Sequence, residues 1–374
     1  MVLLIGNYAA DRQQSMQRFA MMMLLGLTSA GVRAELVQPE SQLGRTNFGG
    51  AFFGKWLGYI DKFILFPRRL RREARKAALV HICDHSNAMY SRGLNDVPVL
   101  VTCHDLIAVR CALGEATDCP VSATGKLLQR WVLAGLRKAS IVACDSHATL
   151  EDAHRLVAAT GGRPRIEHVQ LALSYPYRKL APEEASLRLR EIPILASNAE
   201  FVLHVGSNLK RKNRDAVLRV FARVAPKWSG LLVFAGEAAS TELRDAAQRL
   251  GVGDRVIDVP NPSNELLEAL YNRATALLYP STFEGFGWPI IEAQACGCPV
   301  VCSDREPMRE VSGGASLLRS VEDEEGFAAD LLRLTDPVER ASWSERGLQN
   351  AQRYDREQMI ARYIELYREL APSL

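Results

Sequence analysis

The sequence lacks an early apolar run long enough to cross a bilayer. The longest near its start, FAMMMLLGL at 19–27, falls well short of the roughly 20 residues a spanning helix needs. No basic stretch precedes it and no small-residue cleavage site follows, so it does not read as a signal peptide, and a cytoplasmic protein is expected. Paired CxxC or Cys/His spacing is also missing. Eight cysteines are present, but Cys83, Cys103 and Cys144 sit in strand-like apolar runs that suit buried reduced thiols. The cluster Cys296, Cys298 and Cys302 has no zinc spacing, so no metal site is expected. There is no Walker lysine motif and no G-x-G-x-x-G, which argues against an ATPase and a dehydrogenase. No helix-turn-helix, aromatic RNA motif or zinc module is found, and nucleic acid is not an expected partner. Repeats and low-complexity tracts are absent too.

Charge is unevenly spread rather than abundant. The whole chain of 374 residues carries a net charge of only +3. Residues 1–180 hold 23 Lys and Arg against 14 Asp and Glu, a net +9, whereas 181–374 hold 23 against 29, a net −6. A basic first half suits an anionic surface.

The length suggests two domains, and the apolar pattern agrees. VLLIG, RAELVQ, LVHIC, VPVLVTC and SIVACDS alternate with helical stretches, the rhythm of a parallel sheet covered on both faces. Residues 174–198, with Pro176, Pro182 and Pro193, read as a linker. The pattern then restarts with FVLHVGS, GLLVFAGE, DRVIDV, TALLYPS and PVVCSD. The expected fold is α/β: two doubly wound, Rossmann-like domains facing across a cleft, spanning 1–180 and 181–355. A final helix over 356–374 would pack on either of them. The first strand of each half runs into a glycine, Gly6 and Gly206, and such sheets bind ligands at the carboxyl ends of their strands.

Two stretches offer anion sites there. In EGFGWPIIEAQACGCPVV (284–301), Glu284 falls in a loop after a strand, Pro289 suits a first helical turn, and Glu292 lies about one turn in. The amides at the helix start are donors without partners, and Gly285 and Gly287 allow a ligand close to the backbone. Two carboxylates flank these amides, which suits a polyhydroxylated phosphate ester. Singly, each acid is also an ordinary loop or first-turn residue. In HVGSNLKRKNRDAV, Arg211 and Lys212 stand just before a second helix, a pairing suited to a diphosphate.

These residues resemble the retaining glycosyltransferases of family 4, which have the GT-B fold. EGFGWPIIEAQACGCPVV looks like that family's E-x7-E segment, and LHVGSNLKRKN, LLVFAGE, LLEALYNRATALLYPSTFEGFG and CHDL match in order. The resemblance implies a hexosyltransferase that uses a nucleotide-diphosphate sugar as co-substrate, with no other cofactor and no metal. In that reading Glu292 binds the ribose hydroxyls. Arg211 and Lys212 hold the diphosphate. Glu284, with the amides of Gly285, Phe286 and Gly287, orients the donor sugar. Gly6 and Gly206 lie close to the donor, and His104 contacts the sugar near the reacting carbon. Ser207 stands where many members have arginine, and one glycine, Gly6, replaces two in the first loop. Transfer would occur on one face of the sugar, to a glycan or a lipid-linked acceptor. The alternatives are a sugar-nucleotide 2-epimerase and a membrane-associated scaffold of the same fold without turnover.

The segment GKWLGYIDKFILFPRRLRREARK (54–76) combines Trp56, Tyr59, Phe63 and Phe66 with eight Lys or Arg. It reads either as an anionic-membrane contact on the inner face of the cell membrane or as a pair of surface helices around Pro67 with their apolar faces inward.

Overall fold

The computed structural model describes the whole chain except Arg12, residues 41–56, 118–120 and 159–163, Asn198 and Ser373. Two compact units emerge. One comprises Met1–Ser174 together with Arg356–Leu374, the other Tyr175–Asp355.

Six parallel strands form the sheet of the first unit: β1 (Val2–Ile5), β2 (Ala34–Val37), β3 (Leu79–Ile82), β4 (Val99–Cys103), β5 (Ile141–Cys144) and β6 (Arg165–His168). Their order is β2-β1-β3-β4-β5-β6. β1, β3, β4 and β5 are buried throughout, because helices cover both faces and leave no solvent side for polar alternation. One face packs Leu3, Ile5, Val80, Ile82, Val101 and Cys103 into the core. Three helices matter below: α1 (Gln14–Ser29), α2 (Phe66–Ala74) and α3 (Ala123–Leu136).

The second sheet is also parallel and six-stranded: β7 (Phe201–Gly206), β8 (Leu231–Gly236), β9 (Val256–Pro260), β10 (Ala276–Tyr279), β11 (Val300–Ser303) and β12 (Leu317–Arg319), in the order β12-β11-β10-β7-β8-β9. The chain builds outward from β7 to β9, then returns to the other side of β7 and builds outward again. β7 and β10 therefore meet where the direction of winding reverses, the place where doubly wound sheets leave a crevice for ligands. The helices that concern the site are α4 (Arg214–Val224), α5 (Asn264–Arg273) and α6 (Trp288–Ala295).

The last helix, α7 (Arg356–Leu370), belongs to the first unit. Its Tyr363 and Tyr367 are buried and enter a chain of hydrogen bonds. Tyr367 Oη lies 2.7 Å from His81 Nδ1, His81 Nε2 lies 2.8 Å from Thr102 Oγ1, and Thr102 Oγ1 lies 2.8 Å from Tyr363 Oη. Burial pulls the His81 imidazole down to about 3, so it stays neutral and can both donate and accept. Gly26 of α1 has no Cβ where Ile360 of α7 needs the space; an added Cβ would meet Ile360 Cδ1 at 2.5 Å.

Two expectations are corrected. The unit boundary lies at Ser174/Tyr175, not at 180. Residues 175–180 join the second unit because Tyr177 packs edge-on against Tyr271 and the Arg178 amide donates to Glu268 at 2.9 Å. Pro67 does not separate two helices either. A π-helical turn at Asp61–Leu65 runs straight into α2, and this wide turn immediately ahead of Pro67 is where the α ladder is interrupted.

Candidate functional site

β10 ends at Tyr279, and the chain turns through 280–287 before α6 begins. Gly287 sits at the N-cap with φ of 102°, a conformation that favours glycine. Pro289 lies in the first turn, where its missing N–H costs no bond. Phe286 is buried and meets Trp288 and Tyr354 edge-on, which fixes the course of the loop between Gly285 and Gly287. Beside it, β7 ends at Gly206. The chain passes through a single 3-10 turn, Lys210–Lys212, and enters α4 through Asn213 in a left-handed conformation. The two loops are tied together: the Thr282 amide donates to the Arg211 carbonyl at 2.8 Å, and Asn213 Nδ2 donates to the Pro280 carbonyl at 3.0 Å.

This brings Arg211, Lys212 and Glu284 together. Arg211 Nη1 donates to Glu284 Oε2 and also to the Phe283 carbonyl at 3.2 Å. Lys212 Nζ donates to Glu284 Oε1 at 2.6 Å. Burial alone would raise the Glu284 carboxyl, but the charges of Lys212 and Arg211 outweigh it and hold it down at about 2. Lys212 is lowered, with burial the largest cause. The methylenes of Lys212 lie over Gly206, where an added Cβ would meet Lys212 Cδ at 3.3 Å. Gly206 thus admits the lysine stem, and its carbonyl accepts from Arg214 Nη2 at 2.7 Å.

Two residues that the sequence did not point to complete the arrangement. Tyr279 Oη accepts from Lys212 Nζ at 2.7 Å and donates to Glu284 Oε1 at 2.6 Å. Tyr271, on α5, donates to Glu292 Oε2 at 2.8 Å. Lys212, Tyr271, Tyr279 and Glu292 are buried and the Glu284 side chain is only 6% exposed, whereas Arg211 keeps a quarter of its side chain exposed. Tyr271 and Tyr279 are separated by the same interval as Glu284 and Glu292. That coincidence was the signal available, but it was hidden by the ordinary reading of both tyrosines as apolar helix and strand residues.

The first unit has its own polar centre at its own reversal of winding, between β1 and β3. Asn7 follows β1 and donates to Asp84, which follows β3; Asn87 Nδ2 donates to Asn7 Oδ1 at 3.0 Å. His85 Nδ1 lies 3.2 Å from Asp84 Oδ1, and its Nε2 4.0 Å from Asp105 Oδ1. Burial pulls His85 down, but the adjacent carboxylate of Asp84, with Asp105 and Asp145, raises it to about 9. His104 follows β4, and its two ring nitrogens face Asp145 Oδ2 and the Cys83 carbonyl, each at 3.0 Å. A carbonyl only accepts, so Nε2 carries a proton and Nδ1 shares another with Asp145. A sugar hydroxyl could reach either nitrogen only by displacing one of these partners. Gly6 is packed by Leu36, Gln38 and Ala20, and its amide donates to the Val37 carbonyl at 2.9 Å. Gly6 and His104 are thus placed in the first unit, and Gly206, Arg211, Lys212, Glu284, Gly285, Phe286, Gly287 and Glu292 in the second.

Residues 187–349, most of the second unit, match the family model described as "Glycosyl transferases group 1". The second unit is therefore similar to that family over most of its length. The chain is 30% identical over 215 residues to the O-antigen chain mannosyltransferase B of Escherichia coli, covering 55% of each protein; it thus spans about half the length of that relative. Among solved structures it superposes on the sucrose-phosphate synthase of Thermosynechococcus elongatus with a TM-score of 0.76 at 20% identity, over 100% of this chain and 99% of the other. The Anabaena protein HepE in complex with UDP and glucose gives a TM-score of 0.75 at 15% identity, over 98% and 99%. These likenesses show the fold, which is GT-B.

Proposed function

We propose that this chain is a retaining, nucleotide-sugar-dependent hexosyltransferase of family 4 type, which needs no metal and delivers its sugar to a glycan or a lipid-linked acceptor. The observation that supports it most is the set of Arg211, Lys212, Tyr279 and Glu284, assembled where β7 and β10 meet inside the region similar to the glycosyltransferase group 1 family. Two adjacent cations at a crevice, beside the start of α6, suit a diphosphate.

In this reading Arg211 and Lys212 receive the diphosphate and, with it, the charge that grows on the leaving oxygen. Such fixed charges in a site shielded from water are the largest catalytic contribution available without a covalent intermediate. Glu284 keeps the two cations in place and turns its remaining hydrogen-bonding capacity to the donor sugar, together with the amides of Gly285, Phe286 and Gly287. Glu292, steadied by Tyr271, accepts from the ribose hydroxyls. The bond from the anomeric carbon to the diphosphate oxygen breaks, and the acceptor oxygen bonds to the same face of that carbon. The acceptor's proton passes to the departing phosphate oxygen. The protein contributes position and charge.

The test is incubation with labelled nucleotide sugars in the presence of a chelator. UDP-glucose and mannose donors come first, given the UDP and glucose bound to HepE and the mannosyltransferase relative. Slow release of nucleoside diphosphate, accelerated by acceptor and giving a product of unchanged anomeric configuration, is expected. Interconversion of the sugar while it stays on the nucleotide would replace this reading with an epimerase.

A further inference from the structure

Within the basic segment 54–76, the helix α2 does not present its apolar face to the outside. Phe66, Leu70 and Ala74 of α2 are buried in the core of the first unit, with Phe66 edge-on to Tyr90 at 5.1 Å. Trp56 lies outside the described residues. What faces outward on α2 is charge: Arg68, Arg71, Arg72 and Arg75 are exposed, at the spacing of one helix face. Arg72 pairs with Glu73, and the neighbouring Arg69 with Glu40. Arg68, Arg71 and Arg75 pair with no carboxylate among the described residues.

Apolar surface is supplied by neighbours instead. Ile64, in the turn ahead of α2, is 46% exposed, and Arg68 Nη1 donates to its carbonyl at 3.1 Å. Phe63, next to it, packs against Trp131 of α3 with ring centroids 6.0 Å apart. Trp131 is itself 46% exposed, and Leu127, one turn earlier on the same face, is 63% exposed. Lys126 and Arg130 flank this pair on α3, both exposed and with no carboxylate partner among the described residues. Two adjacent elements, in contact through Phe63 and Trp131, thus present large bare apolar side chains and, along the same two elements, five cations uncompensated among the described residues.

We propose that this composite face, Ile64, Leu127 and Trp131 with Arg68, Arg71, Arg75, Lys126 and Arg130, docks on an anionic lipid surface. The apolar chains enter the interfacial layer, where an indole sits well, and the cations meet lipid phosphates at the level of the headgroups. A polyanion such as an acidic peptide satisfies the cations but offers no apolar layer for Leu127 and Ile64. A bilayer satisfies both. This inference does not depend on the transferase reading, because it concerns a surface rather than the site.

The experiment is co-sedimentation of the full chain with vesicles of phosphatidylcholine alone and of phosphatidylcholine mixed with phosphatidylglycerol, at low and high salt, with soluble polyglutamate as competitor. Binding to the mixed vesicles only, weakened by salt, is expected. Replacing Arg68, Arg71 and Arg75 together by Gln lowers partitioning on the order of a hundredfold. The pair Leu127→Ser and Trp131→Ser lowers it as well, while the salt dependence remains. Circular dichroism checks the folding of each variant, and the charge variant stands alone if the serine pair unfolds. Equal binding to both vesicle types, undiminished sedimentation of the Arg variant, or capture by polyglutamate with none by vesicles overturns the proposal.

Discussion

Tyr279 donates its phenolic proton to Glu284 across 2.6 Å and at the same oxygen accepts from Lys212 at 2.7 Å. With the 2.6 Å bond from Lys212 to Glu284, the three groups close a ring. The tyrosine is the neutral member. It cannot compensate charge, but it fixes the angle at which the acid and the lysine meet.

Tyr279→Phe is therefore expected to leave the ion pair formed and its geometry loose. A lost hydrogen bond to a charged group costs about 1.5–3 kcal/mol. If that loss is felt in the transition state, kcat/KM for donor falls roughly tenfold to a hundredfold, with little change in the affinity for free nucleoside diphosphate. Steady-state kinetics beside calorimetric titration separates the two. Equal losses in both would make Tyr279 a general support of the fold.

The side chains of Lys212 and Glu284 are both largely buried, and without Lys212 the carboxylate keeps only Arg211 and Tyr279 as partners. Lys212→Met removes a charged hydrogen bond and is expected to destabilise the second unit by about 1.5–3 kcal/mol, read as a lower unfolding midpoint in urea. Adding Glu284→Gln removes the undercompensated charge and restores part of that stability, but not diphosphate binding. A double variant that binds diphosphate normally would remove Lys212 from the site.

In the first unit, His85 is held at about 9 against an ordinary value near 6.5. A folded-state value above the unfolded one adds stability that is complete below the unfolded value and disappears as pH rises through the folded one. Stability should therefore decline between pH 6.5 and 9 by a few kcal/mol, and His85→Gln should flatten that decline. Urea midpoints taken across this window check it; an unchanged slope in the variant would put the titration elsewhere.

The anchorage of α7 rests on a short buried hydrogen-bond chain. Tyr367→Phe leaves His81 Nδ1 without its partner, and the loss of such a buried bond is expected to cost about 1–3 kcal/mol. Hydrogen exchange in α7 should accelerate with that in β3, since helix and strand belong to one unit. Faster exchange in α7 alone would show that the helix is secured by apolar packing instead.

Much of this was legible in the residue pattern. The alternation of FVLHVGS, GLLVFAGE and DRVIDV with helical stretches fixes a doubly wound unit, and Pro289 after two glycines marks the start of α6. The pairing of Tyr279 with Lys212 was not legible, because it depends on β10 lying beside β7, 74 residues apart at the His204–Leu278 bond. Local periodicity says that both are strands, not that they are neighbours. Asn7 and Asp84, 77 residues apart, are hidden for the same reason. The buried side of α2 was hidden in another way. An amphipathic segment with cations reads alike whether its apolar face meets a membrane or the protein's own core; the packing of Phe66 and Leu70 turns the face of α2 to the core, while Ile64 ahead of it stays exposed.

The central claim is that a diphosphate lodges on Arg211 and Lys212 without a metal. Isothermal titration of the chain with UDP and with GDP, in a chelator, tests it most directly. At least one of the two should bind, and Arg211→Ala together with Lys212→Ala should abolish that binding while the chain stays folded. Binding that appears only when a divalent cation is added, or that survives intact in the double variant, would contradict the account.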